Sequence, residues 1–414
     1  MADRPRFDLV VAADAAIDPG SGLSGPAEIG IAGDRIVALA RTLGPHEAAR
    51  RIDARGRIVC PGLIDLHVHV YEWVTNFGLD PDAAGVHSGA TTIVDQGSAG
   101  PWTMGGFKAY IADRAVTDVR SFVSANLAGA LKGGMEGTAL HGPSMARIEE
   151  IAACAAAWPG LVKGIKSHGE SGGLSHWGLE VLKLAVEAGR ATGLPLYVHT
   201  GELFPVSEEA RPDPAEVLAA VAPVLRPGDT LAHVYSAMPD GIMGPHGEVP
   251  EAVHAALARG VHFDLGHGIN FSFAIARKMM AEGVLPNTIS SDVHGDFNGF
   301  HDDAGLDYSL CGAMTKLWAL GMPLDEVIRR TTLNPALILG EADEIGTLAP
   351  GSRADITVLD RVAGAWPLAD GLGEALEVEE RLVPSLVIRA GRPIEPDLRL
   401  VRDVRAPRLA SAAE

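Results

Sequence analysis

Between residues 62 and 344 the chain alternates short apolar runs with helical stretches, and this alternation constrains the fold more than any other feature. LIDLHVHV, ATTIVDQG, VRSFVSANL, LVKGIKSH, LPLYVHTG, DTLAHVYS, VHFDLGHG and NTISSDVH read as eight strands, each brief and largely apolar or β-branched. HWGLEVLKLAVEAGRATG and PEAVHAALARG carry apolar residues at helical spacing, and Gly193, Gly260 and Gly283 stand where such helices stop. Eight strand–helix units predict an α/β fold with a parallel (β/α)8 barrel, a doubly wound open sheet being the second choice. In such a barrel the chemistry gathers at the C-terminal strand ends.

The flanks have a different texture. FDLVVAADAAID, AEIGIAGDRIVALA and RRIDARGRIVC are short strands separated by Gly and Pro turns, and GTLAPGSRADITVLD and PSLVIRAGRPI repeat the pattern near the C-terminus. Residues 1–61 and 345–400 are therefore expected to pair into a small β-sandwich, leaving 62–344 for the barrel and 401–414 as a tail. A chain of 414 residues exceeds the roughly 250–300 residues that one core supports, in keeping with two units.

Charge and composition exclude several partners. A formal net charge of −19 with no basic stripe argues against nucleic acid as a partner. MADRPRFDLVVAADAAI lacks the uninterrupted apolar core of a secretory signal, and no run approaches the roughly 18 apolar residues of a membrane span. Cys60, Cys154 and Cys311 are widely spaced with no CxxC, which predicts buried thiols in a reducing compartment. The expectation is a cytoplasmic protein.

The strand ends carry the chemistry. His67 and His69 are spaced i, i+2 on the first strand, so both imidazoles share a face while Leu66 and Val68 turn away. Two neutral imidazoles at a strand end form half of a transition-metal site, or simply cap the strand. Lys166 ends the fourth strand and shares a face with Val162 and Gly164, whereas Lys163 points outward. His199 ends the fifth strand, His233 the sixth and Asp292 the eighth. Each alone has an ordinary structural use, as a hydrogen-bonded histidine or a helix N-cap. Four imidazoles, an amine and a carboxylate at one barrel mouth are hard to explain as independent choices.

These residues resemble a family. PGLIDLHVHV, GATTIVDQGS and TTLNPALILG followed by GTLAPGSRADITVLD are similar to segments of the amidohydrolase superfamily, in its dihydroorotase-like group. FDLGHGINFSF, GVLPNTISSDVHG and LRPGDTLAHVYS resemble its amidohydrolase/deacetylase branch. The resemblance implies two divalent metals, zinc first and manganese, iron or cobalt as alternatives. His67, His69 and Asp292 would hold one ion, His199 and His233 the other, and Lys166 would bridge them as a carbamate. It implies hydrolysis of an amide, imide or ester carbonyl by a metal-bridging hydroxide, with Asp292 as the catalytic proton shuttle. A homo-oligomer is a further implication.

One segment departs from the branch. Its deacetylases read Lys-x-Arg after the bridging lysine, and this chain reads Lys166-Ser167-His168. The missing arginine points away from a substrate carboxylate, and His168 becomes a substrate-binding candidate. His267, Asn270 and Tyr235 are further substrate-binding candidates, as is Ser236; His294 is a supporting residue, and Tyr71 and Trp73 candidate pocket walls. The alternatives are a metal-dependent ring deaminase, against which Lys166 argues, a cyclic amidohydrolase of dihydroorotase or hydantoinase type, and a non-catalytic scaffold, against which the full ligand set argues.

Overall fold

The computed structural model describes residues 6–44, 47–131, 137–244, 246–295, 307, 309–398 and 400–401. Apart from residue 401, the expected tail lies outside them. Fifteen strands fall into two sheets among the described residues.

Seven parallel strands form the larger sheet in the order in which they occur in the chain: β6 (Leu63–Val68), β7 (Ala90–Gln96), β8 (Asp118–Ser124), β9 (Val162–His168), β10 (Leu196–His199), β11 (Thr230–Leu231) and β12 (His262–Phe263). Alternation along them sorts the core. Ile64, Leu66, Val94, Phe122, Tyr197 and Ala232 fill the interior, while Ile93, Val123, Ile165 and Val198 pack into a second cluster with the helices. Gly164 faces the interior, where a Cβ would lie 2.3 Å from the Phe122 ring.

The predicted eighth strand closes the ring with single bridges rather than a ladder. On one side Leu265 N donates to Thr288 O (2.9 Å) and His267 N to Ser290 O (3.1 Å). On the other, Asp292 N donates to His67 O (2.8 Å) and His69 N to Val293 O (3.0 Å). Asp292 has φ 53°, a left-handed conformation that interrupts strand geometry, so NTISSDVH never forms a regular strand.

The chain ends combine into one mixed sheet. Its strands are β1 (Phe7–Asp18), β2 (Leu23–Ala32), β3 (Arg35–Ala40), β4 (Ala48–Asp53), β5 (Ile58–Pro61), β13 (Ile356–Ala369), β14 (Ala375–Arg389) and β15 (Arg392–Ile394). Their order is β15-β14-β13-β5-β1-β2-β3, with β4 parallel to β1. An irregularity between Ala13 and Ala16 lets β1 pair with β4 along Phe7–Ala12 and with β5 at Ala15 and Ala16. Antiparallel pairing of β5 with β13, Ile58 opposite Leu359 through Pro61 opposite Ile356, joins the two ends of the chain. The β13–β14 hairpin is much longer than ITVLD and LVIR suggest, and its extension returns toward the barrel. All three cysteines are buried as free thiols. No helix among the described residues is long and apolar enough to cross a membrane.

Candidate metal centre

A bulge sets up the first histidine pair. Between Asp65 and Val68, β6 gains a residue relative to β7, so Leu66 and His67 are not held to opposite faces by strict alternation. Leu66 joins the interior cluster, against the expectation that it would face away, and Val68 joins the helix-facing one. His67 Nε2 and His69 Nε2 then come within 3.3 Å of each other, with Asp292 Oδ1 at 3.1 Å from the first and 3.5 Å from the second. The ligand atoms of His67, His69 and Asp292 all lie within 4.8 Å of one another, a group that could hold a metal.

The second pair settles its own tautomers. His199 Nε2 sits 3.1 Å from Gly201 O, and His233 Nδ1 sits 2.7 Å from Gly266 O. A carbonyl oxygen only accepts, so those two nitrogens carry the hydrogens. The remaining atoms, His199 Nδ1 and His233 Nε2, face each other at 2.9 Å. Two neutral imidazoles would put two lone pairs nose to nose there, a clash that a cation between them relieves. A proton is disfavoured, because burial and neighbouring positive charge hold His199 well below its usual range, and burial lowers His233 despite the attraction of Asp292. The donor set therefore fits a metal ion. Burial also pushes His67 well down and His69 to about 4, leaving both neutral and able to donate lone pairs at pH 7.

Lys166 points into the same space. Its stem passes Gly97 so closely that a Cβ on that glycine would lie 2.6 Å from Lys166 Cγ. Its Nζ lies 4.6 Å over the Tyr197 ring, and among the described residues no hydrogen bond reaches it. Burial brings its amine down to about 8, against the upward pull of Asp292, Asp264 and Asp95. Lys163 faces outward as expected and pairs with Glu341 at 2.9 Å.

A supporting layer lies behind the candidate ligands, and sequence reasoning missed it. His67 Nδ1 lies 2.9 Å from Tyr197 Oη, whose hydroxyl donates to Asp264 Oδ2. Tyr197 thus accepts the His67 N–H and leaves Nε2 free to act as a donor atom. Asp264 also accepts from the hydroxyls of Thr288 and Ser290. Behind His69, Ser98 Oγ contacts Nδ1 at 3.0 Å, and Asp95 holds both Ser98 N (2.8 Å) and Val70 N (2.9 Å). The signal for Tyr197 was its i, i+2 relation to His199 in LPLYVHTG. Partners of this kind typically tune metal affinity by about 10–100-fold. Tyr197→Phe is expected to weaken metal binding by that order in chelator competition; an unchanged affinity would show that the Asp264–Tyr197–His67 chain does not tune the site.

The other candidates divide. His168, Asn270, Ser236, His267 and His294 line a cavity of about 320 Å³ that also contains the six ligand candidates. His267 is heavily engaged within it. Its Nδ1 donates to Gly268 O (2.8 Å), its Nε2 meets Lys316 Nζ (2.9 Å), and its ring stacks on Phe271. Lys316 is fully buried, donates to Asp307 O and has its amine lowered to about 7 by burial, while Arg381 of β14 pairs with Asp307 at 2.6 Å. His267 is thus clamped beside Gly268, where a Cβ would lie 2.7 Å from Asp292 Oδ2. Tyr235 does not reach the cavity: β11 ends at Leu231 and His233 has φ 63°, so alternation fails and the phenol donates to Val284 O instead. Tyr71 packs on Phe107 with its hydroxyl on Thr103 O, and Trp73 is 90% exposed; Phe77 forms the aromatic wall beside His69.

The chain as a whole has known relatives. Residues 58–394 match the sequence profile described as the amidohydrolase family. The chain belongs to the amidohydrolase family. Amidohydrolases generally bind divalent metals, consistent with the His67, His69 and Asp292 group. A deacetylase of Agrobacterium fabrum is 29% identical over 363 residues, covering 87% of this chain and 85% of the relative. Among solved structures, an adenine deaminase superposes with a TM-score of 0.79 at 26% identity, covering 94% of this chain and 100% of that one. A dihydroorotase gives 0.78 at 27% identity, covering 94% and 97%. This amidohydrolase is accordingly a hydrolase with deacetylase relatives.

Proposed function

We propose that this amidohydrolase is a binuclear enzyme that hydrolyses an amide, imide or ester carbonyl of a small molecule, in the manner of a deacetylase. The observation that carries the reading is the second pair of lone pairs, on His199 and His233, facing each other beside the His67, His69 and Asp292 group. One ion would be held by His67, His69 and Asp292 and the other by His199 and His233, with zinc the first choice for imidazole and carboxylate donors. Bound ions supply an acidified water and polarise the substrate carbonyl.

The chain's own groups do the rest. Asp292 Oδ1 is turned toward His67 and His69, which leaves Oδ2, beside Gly268, to take a proton from the attacking water. The same oxygen returns that proton to the leaving nitrogen or oxygen. Lys166, in its neutral form, adds carbon dioxide through Nζ and releases a proton, which converts a buried amine into an anionic carbamate suited to cations. Tyr197 and Ser98 keep the His67 and His69 rings oriented throughout.

The adenine deaminase likeness supplies a second reading, in which a ring amine is replaced and ammonia leaves. The test combines metal analysis with a screen of acylated amino and hydroxy acids, lactones, cyclic imides and adenine. Close to two ions per chain with acid release from an acyl substrate or ring opening is the expected result. One ion per chain with ammonia release from adenine would overturn the hydrolase reading in favour of the deaminase.

A further inference from the structure

The part of the cavity away from the ligands has a chemistry of its own. β9 ends at His168, two residues past Lys166 and on the same inner face. Its ring packs against Phe204 (centroids 4.6 Å apart) and His199 (5.6 Å), and Phe204 in turn stacks on His141 at 3.6 Å. Among the described residues no hydrogen bond reaches either ring nitrogen of His168. Leu140, Met145, Leu174 and Leu182 continue the wall.

A buried carboxylate builds this wall. Glu170, fully buried, accepts from Gly172 N (2.8 Å) and Gly173 N (2.6 Å) at the start of the helix Ser171–Trp177, and from Leu203 N (3.3 Å) and Phe204 N (3.5 Å). With four amides on it, Glu170 is spent on holding Phe204 against His168. The charged side chains lining the cavity, among the described residues, are then Lys166 and Asp292, both committed to the metal centre. A carboxylate or ammonium laid against Phe204 and the leucines would lose its hydration with no described side chain of that wall to offer it an opposite charge, at a cost of several kcal/mol.

We infer that the substrate's group flanking the scissile carbonyl is uncharged and apolar, seated against Phe204, Leu174 and Leu182, with His168 as its polar contact. The identity of the scissile bond rests on the hydrolase reading; the character of the flanking group rests on the wall. Neutral imidazole offers one donor and one acceptor, which suits a carbonyl, ether or ring nitrogen on an uncharged molecule. The position where relatives were expected to carry an arginine thus selects against the carboxylate that an arginine would recruit.

The test uses the zinc-loaded full chain and three congeners of one scaffold: N-acetyl-2-phenylethylamine, N-acetylphenylalanine, which adds a carboxylate, and an analogue bearing an ammonium at the same carbon. The neutral compound is expected to have a kcat/KM at least 100-fold above either ion. His168→Arg is expected to raise the carboxylate congener at least 10-fold relative to the neutral one, and Phe204→Ala to raise KM for the neutral compound more than it lowers kcat. Equal or better turnover of the carboxylate by the unaltered enzyme overturns the inference. Should none of the three be hydrolysed, calorimetric binding to the same zinc-loaded protein decides separately. Neutral-first binding then sustains the wall assignment while the deacetylase reading falls, and charge-first or undetectable neutral binding overturns the inference.

Discussion

Asp292→Asn is expected to lower kcat by about 10³-fold or more while leaving the fold intact. The magnitude is that of a positioned acid–base group, roughly 10²–10⁴-fold. Asparagine suits the control because the backbone at 292 is left-handed, with φ 53°, a region that Asn and Asp tolerate best among side chains with a Cβ. Alanine would add backbone strain of about 1 kcal/mol or more to the loss of the carboxylate and blur the result. The amide nitrogen cannot take a proton from water at near-neutral pH. Circular dichroism melts and metal content would accompany the kinetics, so that a lost ligand is separated from a lost proton acceptor. Near-normal turnover with full metal content would remove Asp292 from the proton-shuttle role.

Lys166→Ala has a comparable expected effect through a different route. The amine is buried over the Tyr197 ring, and burial lowers it to about 8. About a tenth of it is therefore neutral at pH 7, which is the form that adds carbon dioxide. As a free ammonium it would repel two divalent cations at short range; as a carbamate it attracts them. The alanine variant is expected to purify with less than half its metal and with activity reduced by about 100-fold or more, at or beyond the roughly 10–100-fold that loss of an outer partner of a metal ligand costs. Acetate or propionate should restore part of both by occupying the space the side chain vacates. Full metal content without the lysine would rule out the carbamate bridge.

The gathering of six ligand candidates was legible in the sequence because each stands at or near the end of a candidate strand. His67, His69, Lys166, His199, His233 and Asp292 all line one cavity. Less visible was how two of them get there. His233 and Asp292 both occupy left-handed backbone, which no alternation rule anticipates, and the short β11 and missing eighth ladder follow from it. Tyr235 lies away from the cavity for that reason: β11 ends at Leu231, so no strand carries it to the inner face. Lys316 was overlooked as well, although a lysine on the apolar face of LCGAMTKLWA is itself a signal that the helix buries a charge for a purpose. Its contact to His267 depends on a helix 49 residues downstream, a separation that local spacing does not report.

The pairing of β5 with β13 has a consequence for biosynthesis. Cys60 and Thr357, neighbours across that ladder, are 297 residues apart in the chain. At ribosomal speeds of about 5–20 residues per second, β5 waits on the order of 15–60 s before its partner strand exists. Throughout that interval Ile58 and Val59 lie along an unpaired apolar edge, the kind that invites another nascent chain. The seven barrel strands β6 to β12 add in chain order and can pair as they emerge, whereas β5 must wait for β13. A chaperone that shields residues 58–61 during synthesis is therefore expected to lower aggregation of the nascent chain.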